Sequence, residues 1–88
     1  MTLDDRTFLQ AVGRRILTLR HAAGLTQAGL GDRCGLHRTF IGSVERGERN
    51  LALLSLRWIA AALRTDPMAL LADPPPAAQT VEWPAELV

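Results

Sequence analysis

With 88 residues, 22% of them charged and 48% hydrophobic, the chain has enough apolar material for one small core and too much for a disordered segment. No apolar run approaches the ~20 residues that cross a bilayer, and the opening MTLDDRTF lacks the basic stretch and apolar run of a signal peptide, so a soluble, cytoplasmic protein is expected. The net charge of +1 conceals an asymmetry: all ten basic residues are arginines between Arg6 and Arg64, opposed there only by Asp32, Glu45 and Glu48, a local excess of +7 between acidic ends that suits a phosphate-rich partner as well as an ordinary solvated surface.

Phe8, Val12, Ile16, Leu19 and Ala23 recur on one helical face and predict a long first helix, opened by Thr2 and Asp5 as a capping pair and stopped at Gly24. Thr26 caps a second helix, in which Leu30 and Cys34 form a short inward face. Gly35 stops it, because glycine adopts positive φ without strain, and Leu36 drops into the core. The lone Cys34 excludes an internal disulfide. It has no Cys or His partners at ligand spacing, so no metal is expected and it reads as a buried structural thiol. A third helix restarts over Arg38 to Glu45 with Ile41 and Val44 inward, which leaves Arg38, Thr39, Gly42, Ser43 and Arg46 on the outer side. Gly47 ends it.

A fourth helix carries Leu53, Leu56, Ile59, Ala60 and Leu63 as its core stripe. Beside that stripe run Leu51, Leu54, Trp58 and Ala61, and a helix that is apolar on two sides must be covered on two sides. Either a twofold-related copy supplies the cover, the preferred reading, with Met68 or Leu71 contributing, or the chain's own tail does so through Val81, Trp83 and Leu87. Asp66 followed by Pro67 caps a short fifth helix, Met68 to Leu71. From Pro74 the helical period disappears and Pro74 to Pro76 predict an extended stiff segment, which divides the chain into a domain at 1–73 and a Pro-rich tail at 74–88. Catalysis is not expected: His21 and His37 have no nucleophile or acid arranged around them, and no glycine loop is built to cradle phosphate.

Two short helices joined at Gly35, together with VGRRILTLRHAAGLTQ, ERGERN and IAAAL, resemble the helix-turn-helix family of phage lambda-type repressors and Cro proteins, the XRE-like regulators, over roughly Val12 to Leu71. Within it, LHRTFIGSVERGERN is most similar to the controller proteins of restriction–modification systems. The resemblance implies an all-α, five-helix lambda-repressor-like DNA-binding domain. Its function would be transcription regulation, as repressor or activator, on a palindromic operator in double-stranded DNA bound as a homodimer, without a cofactor; a contact with RNA polymerase lies within the same range. A helix-turn-helix module that binds only protein, an antitoxin-like protein and a phage-type repressor are the alternatives, and an apolar or acidic outer face on the third helix would mark the first of them.

By the same resemblance Gln27 matches a glutamine that contacts a phosphate, Arg38, Thr39 and Ser43 match positions that reach base edges, and Arg46 and Arg49 match backbone-contacting positions, with base contact open to Arg49 as well in the controller proteins. Arg20 and Glu45 match a pair that ties the first helix to the end of the third. Four positions depart from the pattern. Gly29 replaces the capping-box glutamate, which costs roughly 1 kcal/mol relative to alanine; Gly31 is read as a close approach to the recognition helix; His37, at the cap, is a candidate to cap or to approach a phosphate; and Phe40 keeps a packing ring without a hydroxyl.

Overall fold

The computed structural model describes residues 1–72. Five helices follow one another: α1 (Leu3–Ala22), α2 (Gln27–Cys34), α3 (Arg38–Glu45), α4 (Leu53–Ala62) and α5 (Pro67–Leu71), with no strand among the described residues. The extended segment at Pro74 to Pro76 and the apolar Val81, Trp83 and Leu87 lie outside those residues.

Side-chain caps start four of the five helices, whereas α4 opens at Ala52 with no side-chain cap. Thr2 and Asp5 close a reciprocal capping box, each backbone N–H donating to the other's side chain at 3.1 Å. Thr26 Oγ1 accepts from the Gly29 amide at 2.9 Å and the Asp66 carboxylate from the Met68 amide at 2.8 Å. At the end of α2 Gly35 has φ 73°, and this left-handed residue lets the Leu36 amide return to the Gly31 carbonyl at 3.0 Å. The corresponding position after α4 is Arg64, with φ 56°, where a side chain stands in a conformation that favours glycine.

Val12 and Ile16 of α1, Leu30 of α2, Ile41 and Val44 of α3, Leu56, Ile59 and Ala60 of α4, and Leu70 of α5 make one buried cluster. Every helix therefore contributes, and each fully buried aliphatic side chain adds about 1.5–3 kcal/mol relative to an exposed one. Leu70, which the helical pattern did not single out, is wholly enclosed, and Arg15 Nη1 on α1 donates to its carbonyl at 3.1 Å. No described helix is long and apolar enough to cross a membrane.

Several inward assignments need correction. Phe8 and Ala23 have the helical phase of Val12 and Ile16 but are exposed, Phe8 by 40%. The loop after α3 meets α1 at Gln10, against Gly47, so Phe8 stands before that overlap and Ala23 is already the C-cap. Leu53 is in phase with Ala60 yet 80% exposed, because it occupies the first turn of α4. Leu51 is corrected the other way: it precedes the helix, packs on the core and is half-buried. Cys34 is half-buried rather than buried, although burial still pushes its thiol above the usual cysteine range. Leu54, Trp58, Ala61, Met68 and Leu71 are exposed, as the second stripe requires, Trp58 by 45%.

Candidate nucleic-acid interface

The two halves of α3 differ in their surroundings. Its C-terminal part, Ile41 to Glu45, is buried, whereas Arg38 and Thr39 at its start are exposed. His37 initiates the helix: its Nδ1 accepts the Thr39 amide at 3.0 Å, so the imidazole is a working cap in a place usually filled by Ser, Thr or Asp. Among the described residues the Arg38 side chain makes no hydrogen bond, leaving its fork of donors free at the exposed end of the helix.

Glu45 holds the other end. Its Oε2 accepts from Arg20 Nε at 2.6 Å, and its Oε1 accepts from Arg20 Nη2 at 2.9 Å and from Gln27 Nε2 at 3.0 Å. Arg20 Nη1 goes to the Leu25 carbonyl at 2.9 Å. Both charged residues are buried, and the hydrogen bond to Glu45 raises the Arg20 guanidinium above its already high ordinary pKa, against the opposing effect of burial. One carboxylate thus joins α1, α2 and α3. The expected pairing of Arg20 with Glu45 is present, but the link to Gln27 was not legible, since the spacing of 18 residues carries no periodic signal.

Gly42 and Ser43, expected on the outer side of α3, are buried there, Ser43 being 8% exposed. Ser43 Oγ donates to the Phe40 carbonyl at 2.7 Å and accepts from Arg49 Nε at 3.2 Å, while the Arg49 guanidinium lies 5.4 Å from the centre of the half-buried Phe40 ring. A short hydroxyl bonded back to its own helix is easily covered by a long side chain above it. At Gly42 a Cβ would stand 3.2 Å from Arg46 Nη1 and 3.3 Å from Gln27 Oε1, so the missing side chain makes room for both. Gly31 is also a close approach, but to the Leu36 carbonyl of the turn rather than to the body of α3. Two residues outside the predicted set matter here. Gly13 lies against the Glu45 carbonyl, where a Cβ would stand 2.6 Å from the oxygen, and Glu48 accepts both of its contacts from Arg46 Nε, at 2.8 and 2.9 Å.

The outer surface formed by Arg38, Thr39, Arg46 and Arg49 is polar and basic, with Gln27 half-buried at its edge. Comparisons with known proteins agree with this architecture. The family described as "Helix-turn-helix domain" matches residues 11–70. The chain is 42% identical to the control protein C.SmaI of Serratia marcescens over 62 residues, 70% of this chain and 74% of that protein. It is 37% identical to the control protein C.BamHI of Bacillus amyloliquefaciens over 60 residues, 67% of this chain and 74% of that one. Among solved structures it is similar to the restriction-modification controller protein C.AhdI from Aeromonas hydrophila, with 42% identity, a TM-score of 0.69, and coverage of 70% of this chain and 94% of that one. A match over these five helices and the turn between α2 and α3 leaves one assignment: the chain belongs to the helix-turn-helix domain family.

Proposed function

We propose that this chain is a sequence-specific DNA-binding transcriptional regulator of the restriction–modification controller kind, acting as a homodimer on a palindromic operator in the cytoplasm. The observation that carries the reading is the exposed, basic start of α3 on an otherwise buried helix, the arrangement by which a recognition helix presents its N-terminal residues to base edges in the major groove. The controller proteins among the relatives support the same role. A purely protein-binding helix-turn-helix would be expected to show an apolar or acidic face there instead. In this reading the domain spans 1–73 and the Pro-rich tail 74–88, nothing in it calls for enzymatic chemistry, and a role as activator would add a contact with RNA polymerase.

Arg38 and Thr39 read bases: arginine donates to guanine N7 and O6 together, and threonine combines a hydroxyl with a methyl that can touch thymine. Gln27, His37, Arg46 and Arg49 contact the backbone and set the register. Phe40 supports Arg49 by stacking. Ser43 reaches DNA only if Arg49 swings away from it, which makes it the weakest member of the set. Arg38→Ala should lose about 1–3 kcal/mol on the preferred operator and relax specificity at one base pair, whereas Gln27→Ala should weaken all duplexes alike. Binding measured on that operator and on a random duplex checks both, and equal losses for Arg38→Ala would remove it from the base-reading set.

The exposed apolar side chains of α4 and α5, Leu54, Trp58, Ala61, Met68 and Leu71, joined by Leu53, supply the dimer contact. Leu51 contributes less than its place in the stripe suggested, since it already packs on its own core. An aromatic at an interface centre often dominates its energy, so Trp58→Ala should cost about 2 kcal/mol, roughly a thirtyfold loss of dimer affinity. Operator binding should fall with it, because two linked half-site contacts gain effective concentration that separate domains lose. Sedimentation of the wild type and Trp58→Ala, with and without residues 74–88, is the check. A monomeric wild type that associates once the tail is removed would refute the dimer in favour of the tail as cover.

A further inference from the structure

Beyond the end of α3 the two arginines are held differently. Arg49 is bonded to a neutral hydroxyl and stacked on a ring. Arg46 instead has its Nε engaged by both oxygens of the exposed Glu48 carboxylate, while its Nη1 and the Gln27 amide both border the space that a Gly42 side chain would fill. Among the described residues the Nη donors therefore remain available, turned toward the residue assigned to backbone contact, with a negative charge immediately behind them. A carboxylate within 3 Å of an arginine on a phosphate-facing surface has two consequences. It removes one unit of positive charge from every encounter with DNA, and it stops the guanidinium from seeking whichever phosphate is nearest.

We infer that Glu48 is a specificity-determining positioning residue, which holds Arg46 for a single phosphate in the correctly seated complex and weakens attachment to DNA of arbitrary sequence. This rests on the DNA-binding reading above. The physical asymmetry lies in what each complex needs. Attachment to arbitrary sequence is almost wholly electrostatic, so it suffers the full effect of the added negative charge. In the seated complex the base contacts of α3 place Arg46, and the orientation supplied by Glu48 offsets much of its charge. Specificity arises here as a penalty against the wrong complex rather than a reward for the right one.

The test uses the full chain, a duplex that the wild type enriches from a randomised pool, and a random duplex of equal length. Glu48→Gln keeps the shape and removes the charge. At 0.1 M salt it should strengthen binding to the random duplex about five- to tenfold and steepen the dependence of log K on log salt by about one, while the enriched duplex changes by no more than about threefold. Adding Arg46→Ala to Glu48→Gln should erase the gain. The pair is exposed, so the melting temperature should stay within a few degrees of wild type. Equal shifts on both duplexes, no gain on the random duplex, or a gain that survives Arg46→Ala overturns the inference. A wild type that enriches no sequence at all overturns the DNA-binding reading itself, a distinct result.

Discussion

Replacing Glu45 by alanine is expected to destabilise the domain by about 3–5 kcal/mol, the cost typical of removing one partner from a buried ion pair. Arg20 would keep its hydrogen bond to the Leu25 carbonyl but would leave two guanidinium donors facing a cavity with the charge still present. Gln27 would lose its anchor at the same time. For a domain of this size each kcal/mol lowers the melting temperature by about 4–8 °C, so a drop of well over 10 °C is the expected reading. The cost comes from the orphaned charge, and replacing both partners together, Arg20→Met with Glu45→Leu, should be milder than Glu45→Ala alone. An unchanged melt combined with lost operator binding would move Glu45 out of the scaffold and onto the DNA face.

Gly13→Ala is the second large effect, expected at about 3 kcal/mol even though alanine favours a helix interior over glycine by about 1 kcal/mol. A Cβ there would press on the carbonyls of Val44 and Glu45, standing 2.6 Å from the Glu45 oxygen and 2.9 Å from its carbon. These are backbone atoms of α3, and no side-chain rotamer can relieve them. Either α1 moves away from α3, opening the packing around Ile16 and Val44, or α3 shifts and carries Arg38 with it. Thermal melting reports the first response and loss of operator discrimination the second. A variant as stable as wild type would show that α1 and α3 do not approach as closely as described.

Much of the candidate site was legible because its geometry depends on local chemistry. Arg38 and Thr39 follow a cap and a stop at fixed offsets, so their exposure at the start of a short helix could be read from HRTF and the preceding glycine. Ser43 and Gly42 were misread because a helical phase says which way a side chain points and nothing of what lies above it. In both cases the covering groups, Arg49, Arg46 and Gln27, come from outside the helix. Glu48 escaped notice for a related reason: an acidic residue in a basic stretch registers as a lowered charge count, and its contact with Arg46 appears only once the chain has folded.

The sequence alone specified the five helices, the caps at Thr2, Thr26 and Asp66, the stops at Gly24, Gly35 and Gly47, the inward phase of Val12, Ile16, Leu30, Ile41, Val44, Leu56 and Ile59, and the apolar second face of α4. Each of these follows from interactions within about four residues along the chain, through a 3.6-residue period, a capping oxygen or a positive φ. The tertiary structure alone decided how far along each helix its neighbours extend. Phe8 and Leu53 have the correct phase and fall outside the overlap, whereas Leu70, on a helix of five residues too short to show a period, falls inside it. It also decided the contacts between distant segments, Gly13 against the end of α3 and Glu45 between Arg20 and Gln27. Phase is a property of one helix, but axial overlap, close approach and the sharing of a buried charge are properties of two or three helices packed together, and they exist only once the chain has folded.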